Sequence, residues 1–278
     1  MSRADGRGLM GITFTLDVED HRSDPADEPR HIEATRTVLE FLAERQIRGT
    51  FFVVGDVAAE QPALVRAIAA DGHELAVHSF VHRPLTEVAP DEFRAGVGDT
   101  RQRLEDTAQA PVLGFRAPMF SLVPATRWAL DILVDLGFTY SSSVLPTRHP
   151  LFGDPSCPAV PFRWPNGLVE LPCPVVRLAG RGFAPFAAVW LRNLPWAVTQ
   201  FGLAMAADTP LAWSYAHPYD FDPGEPFRAL PEAGALGSRL IWRERRRSFA
   251  RFDRLHAGRV APPLAERLAS LPLPAAAP

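Results

Sequence analysis

The chain has 278 residues, 47% of them hydrophobic and 22% charged, with a formal net charge of −3. These are globular values, and they give no electrostatic reason to expect a nucleic-acid partner. All 29 basic residues are arginine, which excludes a Schiff-base lysine, lysine-anchored pyridoxal phosphate and a phosphate-loop lysine. The first eight residues are polar with no apolar core, so the reading predicts no signal peptide and a cytoplasmic location. Residues 11–16 read as a buried strand that runs into Asp17, Glu19, Asp20 and His21. Carboxylates at the end of a buried strand are costly unless paired, hydrogen-bonded or bound to a metal.

Residues 22–30 form a polar, proline-containing loop able to cover those acids. Ile32, Thr35, Val38, Leu39 and Leu42 then share one helical face. Residues 49–54 read as a buried strand, and Leu64, Val65 and Ile68 mark a helix with Gly72 at its left-handed cap. A strand over residues 74–78 delivers His78 at its end. A polar helix over residues 90–109 follows, then a strand over 112–115 that leads into Arg116-Ala117-Pro118. Residues 125–136 read as a helix capped by Gly137, and residues 138–142 as a strand. Strand and helix alternating at this cadence predict parallel βαβ units.

The cadence breaks over residues 146–186, which are rich in Pro, Gly and Arg and hold one short strand, residues 168–171. Cys157 and Cys173 lack zinc-site spacing and read as reduced thiols. Residues 186–205 are apolar and aromatic, interrupted by Pro195. That pattern fits two short helices, a membrane-surface helix or a contact between copies of the chain, with a buried or partner-facing helix as the default. No apolar run is long enough to span a bilayer. Residues 211–216 are the last strand, ending at His217-Pro218. Residues 239–255 are strongly basic with apolar residues interleaved. They read as a solvated face packed on the barrel rather than as a helix for an anionic surface. The last six residues read as frayed.

The chemistry gathers at strand ends. His78 and His82 are four apart, which on a helical turn puts both on one face and lets them share a metal. A carboxylate from another strand end completes a His₂-carboxylate set with positions open for water and substrate. Such a metal lowers the pKa of bound water from about 16 toward ~7 and polarises a carbonyl oxygen. A second carboxylate, outside the metal's ligands, is then needed to take the water's proton. Asp17 with Glu19 or Asp20 supplies both roles. Arg116 suits a bidentate contact that keeps the base ionised and oriented. His217, set before a strand-stopping proline, suits an acid that protonates a leaving amine.

Five stretches, taken in order, carry a resemblance: Leu16-Asp-Val-Glu-Asp20, Gly72-His-Glu-Leu-Ala-Val-His-Ser-Phe-Val-His82, Phe115-Arg-Ala-Pro-Met-Phe120, Leu136-Gly-Phe-Thr-Tyr-Ser-Ser142 and Tyr215-Ala-His-Pro218. With them the chain resembles the polysaccharide deacetylases of the NodB-homology group, carbohydrate esterase family 4, in the branch associated with bacterial exopolysaccharide gene clusters. The resemblance covers roughly residues 11–255. It implies an α/β fold, a distorted (β/α)7-type barrel, as a single domain over residues 9–258 with a C-terminal tail over 259–278. It implies Asp17 as base, Glu19 or Asp20 with His78 and His82 as ligands of a divalent metal, zinc first among candidates, Arg116 orienting the base, and His217 as acid. The implied activity removes N-acetyl, less often O-acetyl, groups from a polysaccharide or its saccharide precursor.

Two departures stand out. The family's commonest first motif has two adjacent aspartates, whereas here the second acid follows two or three residues later; that spacing favours Glu19 and leaves Asp20 open. The aspartate that tunes the acid histidine belongs near residues 141–143, which are serines here. Glu170 is the expected substitute, with Asp220 and Asp222 as rivals. Two other functions share the scaffold: opening of a cyclic amide such as allantoin, and carbohydrate binding by a vestigial site. Relatives of the first kind tend to lose metal ligands, while the second would not need Asp17, Arg116 and His217 together.

Overall fold

The computed structural model describes residues 10–22, 27–178, 181–230 and 233–274. The first half alternates as expected: β1 (Ile12–Val18), α1 (Arg30–Glu44), β2 (Gly49–Val53), α2 (Gly55–Glu60), α3 (Pro62–Ala70) and β3 (Glu74–Val77). It continues with α4 (Pro90–Ala108), β4 (Gly114–Phe115), α5 (Trp128–Asp135) and β5 (Tyr140–Ser141). Gly72 and Gly137 both take positive φ, +77° and +81°, at the helix exits where the sequence placed them. The irregular middle holds more structure than its composition suggests: β6 (Phe162–Arg163), β7 (Val169–Glu170), β8 (Val176–Leu178) and β9 (Arg181–Phe183). Next come α6 (Ala188–Asn193), α7 (Trp196–Met205), β10 (Ala212–Ala216), α8 (Gly234–Trp242), α9 (Ser248–His256) and α10 (Leu264–Leu268).

One eight-stranded sheet runs in the order β10-β1-β2-β3-β4-β5-β7-β6. Every neighbouring pair in it is parallel except β6–β7. The sheet curls into a distorted (β/α) barrel of seven parallel strands. β1 lies between β10 and β2, buried at every position, which is why its residues read as largely apolar. In a parallel barrel all strands point the same way, so their C-terminal ends open on one face, and chemistry collects there. Asp17, His78, Arg116 and His217 all stand at or just beyond such ends.

The two short helices flanking Pro195 are α6 and α7, and among the described residues no helix is long and apolar enough to cross a membrane. The basic stretch splits into α8 and α9. Phe252 and Leu255 are wholly buried and Arg245 is paired to Glu225 at 2.6 Å, so this segment is packed on the barrel. Both cysteines are buried free thiols.

Residues 259–274 are not a loose tail; the last four residues, where fraying was expected, lie outside the described residues. Leu264 is wholly buried under the barrel. Its N–H bonds to Thr50 Oγ1 at 2.9 Å, and the N–H of Ala265 bonds to Glu74 Oε2 at 3.0 Å. Glu74 also accepts from Thr50 and Tyr140 at 2.7 and 2.8 Å. Burial pushes its pKa upward even so. The domain boundary expected at residue 258 therefore falls too early, because the barrel floor needs these residues to satisfy and cover it. Leu264→Ala is expected to destabilise the fold by about 2–5 kcal/mol through the cavity it leaves. A urea midpoint equal to that of the parent chain would show that α10 is merely resting on the surface.

Candidate active site

Arg116 is the buried hub of the catalytic face, with no exposed surface. It closes β4 at the register where its N–H bonds to Val77 O. Its Nη1 donates to Asp17 Oδ1 at 2.6 Å and to Thr15 Oγ1 at 3.1 Å, while Nε and Nη2 donate to Ser142 O and Oγ. The guanidinium lies 3.8 Å over the Phe52 ring and 4.3 Å from Trp213, faces that favour a cation. The contact to Asp17 is made through one nitrogen rather than the bidentate fork expected. One consequence matters: Asp17 Oδ2 is left buried without a hydrogen-bond partner. Removing either member of such a buried pair costs about 3–5 kcal/mol.

Glu19, His78 and His82 bring their ligand atoms within 4.8 Å of one another. His78 does not begin a helical turn as its spacing to His82 suggested. It follows β3, and Ser79 takes a positive φ of 63° to bend the chain so that both rings face the same point. The ring centroids are 5.3 Å apart. His78 Nδ1 is engaged by Arg116 O at 2.9 Å, which leaves Nε2 aimed into the site as a metal ligand requires. His82 Nε2 lies 2.6 Å from Glu19 Oε2, yet that oxygen has no partner in hydrogen-bond geometry. A buried carboxylate oxygen without a partner, facing two convergent imidazoles, fits a divalent cation. Among the described residues this is the group that could hold one.

Burial raises the Glu19 carboxyl, but the surrounding histidines His82, His217 and His78 outweigh it and hold the pKa well below the usual range. Burial likewise dominates at His78 and pushes its pKa down to about 4, so the ring is neutral at pH 7. Asp20 does not join the cluster. Arg22 claims it through Nε and the backbone N–H, at 2.6 and 3.1 Å, and His31 Nδ1 stands 3.6 Å away. Glu19 is therefore the acid that reaches the histidines. The loop expected to cover the site lies partly outside the described residues, at 23–26.

His217 follows β10, its Nε2 3.8 Å from Glu19 Oε1. Its Nδ1 meets Asp220 Oδ2 at 3.1 Å, and the same oxygen accepts the His217 backbone N–H at 2.9 Å. Asp220 Oδ1 takes a 2.5 Å bond from the wholly buried Arg192 of α6. Burial alone would lower the His217 pKa; Glu19 and Asp220 reverse the sign and raise it. Glu170 does not fill this role. Its Oε1 accepts the N–H groups of Ser143 and Val144 at 2.7 and 2.9 Å, and Oε2 accepts from Trp164 at 3.3 Å. Glu170 thus braces the serine turn beside Arg116, while Asp220 sits at the histidine. Arg192 carries no signal in the sequence, and Tyr215, though part of the last motif, had no role assigned to it. Tyr215 Oη lies 2.7 Å from His217 Nε2, and the Tyr219 ring stacks on the imidazole at 4.5 Å.

Residues 24–141 match the family model described as polysaccharide deacetylase, and residues 142–259 match one described as a domain of unknown function, DUF3473. A chitooligosaccharide deacetylase of Bradyrhizobium sp. is 30% identical over 99 residues, 36% of this chain and 43% of that protein. A peptidoglycan-N-acetylglucosamine deacetylase of Bacillus cereus is 28% identical over 106 residues, 38% of each. The chain thus spans less than half the length of these relatives. Among solved structures, a Mycobacterium smegmatis protein assigned as a polysaccharide deacetylase superposes with a TM-score of 0.62 at 21% identity, covering 100% of this chain and 96% of that one. That likeness is one of fold. Asp17 and Glu19 lie just ahead of the first matched stretch and His217 lies in the second, so the site is assembled across both.

Proposed function

We propose that this chain, which belongs to the polysaccharide deacetylase family, is a metal-dependent hydrolase that removes N-acetyl groups from a polysaccharide or its saccharide precursor. The observation that carries the reading is the placing of a free carboxylate oxygen and a paired histidine around one convergent ligand set. Asp17 Oδ2 lies 3.5 Å from His78 Nε2, and His217 Nε2 lies 3.8 Å from Glu19 Oε1. Glu19, His78 and His82 would hold a divalent ion, and a His₂-carboxylate donor set suits zinc, which would acidify water and polarise the amide carbonyl.

The chain's own residues then divide the proton work. Arg116 occupies Asp17 Oδ1 and fixes the carboxylate, so Oδ2 is the oxygen that takes a proton from the attacking water. Hydroxide adds to the acetyl carbon, and the C–N bond breaks as His217 Nε2 delivers a proton to the leaving nitrogen. Acetate and a free sugar amine result. Asp220 holds the imidazole through Nδ1 and favours its protonated form, and Arg192 keeps Asp220 ionised in turn.

Incubation with N-acetylated oligosaccharides of chitin and peptidoglycan type is expected to release acetate and free amine in equal amounts. Opening of a cyclic amide with no acetate from any sugar would move the chain to the second reading. The acid assignment has its own test. Catalysis needs His217 protonated, and Asp220 raises its pKa, so activity persists to higher pH than an ordinary histidine permits. Asp220→Asn should move the alkaline limb of the pH–rate profile to lower pH, with Glu170→Gln leaving it in place. A limb that moves in Glu170→Gln and not in Asp220→Asn would reverse the assignment.

A further inference from the structure

A cavity of about 270 Å³ opens on the catalytic face, lined by Met119, Phe120, Leu145, Phe183, Trp190 and Tyr215 among others. Its walls come from the turn after β4, the segment after β5, the β8–β9 hairpin, the start of α6 and the end of β10. All lie on the side of the barrel where the catalytic groups stand. Two of the lining rings also belong to the site. Tyr215 shares its hydroxyl with His217 Nε2 at 2.7 Å, and Phe120 packs against Tyr215 at 5.2 Å and beside the Arg116 guanidinium at 5.7 Å. The cavity therefore begins one side chain from the atom that protonates the leaving nitrogen.

The methyl of an acetyl group needs only a small part of that space, which equals roughly nine waters at ~30 Å³ each. The lining is mostly aliphatic and aromatic, with Thr147 and His149 at its polar edge and no arginine among the described residues of its wall. That composition is wrong for a phosphate-bearing group and right for hydrocarbon. Most of the lining residues, Leu145 through Tyr215, come from the DUF3473 stretch rather than the polysaccharide deacetylase stretch.

We propose that this cavity receives the acyl group of the substrate and accepts chains longer than acetyl, so that the enzyme is an N-deacylase for medium-length acyl amides of amino sugars. The proposal rests on the deacetylase reading and keeps its chemistry. Water adds to the acyl carbon, the C–N bond breaks, the proton passes to nitrogen, and the products are a fatty carboxylate and an amine. Each methylene buried in the cavity contributes about 0.8 kcal/mol, or roughly fourfold.

Two measurements on the full chain decide it. In calorimetric titration with acetate, butyrate and hexanoate, the dissociation constant should tighten about fourfold per methylene. The trend should flatten in Val189→Phe and in Ala184→Phe, each of which fills the cavity from a different wall. In hydrolysis, N-hexanoyl glucosamine oligosaccharides should have a higher kcat/KM than their N-acetyl counterparts, and either variant should erase that ratio. Chain-length-independent carboxylate binding with acetyl hydrolysis intact overturns the cavity's role and leaves the deacetylase reading standing. Graded binding without hydrolysis of any N-acyl sugar supports the cavity and overturns the reading beneath it.

Discussion

Asp17→Asn is expected to keep its bound divalent metal and lose activity by a factor on the order of 10² to 10⁴, the range for removal of a general base. The geometry separates the two properties. Asp17 Oδ1 is committed to Arg116, and Oδ2 is buried and unpartnered 3.5 Å from His78 Nε2. The group of atoms that could hold a metal is drawn from Glu19, His78 and His82, so an amide at residue 17 leaves those ligands intact. The same substitution strips the wholly buried Arg116 of its counter-charge, which costs stability as well. Rates must therefore be compared on folded protein, checked by circular dichroism at the assay temperature. Loss of metal in Asp17→Asn would make this carboxylate a ligand and leave the site without an assigned base.

Much of this site was legible because each chemical residue ends an apolar run. Asp17, His78, Arg116 and His217 each terminate a buried strand, and parallel strands deliver their ends to one face. What failed was whatever depended on side-chain direction or on packing between distant segments. The four-residue step from His78 to His82 fitted a helical turn, yet a bend through Ser79 satisfies the same spacing. Glu170 stands at a strand end like the others, but its register opposite Ser141 turns the carboxylate to the N–H groups of Ser143 and Val144. Asp220 was readable as a rival, three residues past His217. Arg192 was not, because it sits in a six-residue helix whose sequence reads as apolar. The strands β6, β8 and β9, two or three residues each, are too short to carry any period. Asp20 lost to Glu19 because Arg22, two residues on, captures it.

The second large effect concerns the ligand set. His78→Ala, His82→Ala and Glu19→Gln are each expected to lose the metal, because two remaining protein ligands hold an ion poorly. The affinity loss should exceed the 10- to 100-fold that follows removal of a residue that merely supports a ligand. Asp20→Asn should retain the metal, since its carboxylate is engaged by Arg22 and His31. Equal metal content in Glu19→Gln and Asp20→Asn would mean that neither acid is the sole carboxylate ligand. His82 is the informative histidine for this test. Its side chain is one-third exposed, so its replacement disturbs packing least, and a metal-free but fully folded His82→Ala would tie the loss to coordination.

Metal dependence is tested most directly by one paired measurement, metal content and acetate release from N-acetylated oligosaccharides on the same sample, before chelation, after it and after zinc is returned. The expected result is about one divalent ion per chain, acetate release that disappears with the ion, and recovery of both together. Acetate release that persists at full rate in the metal-free protein would contradict it.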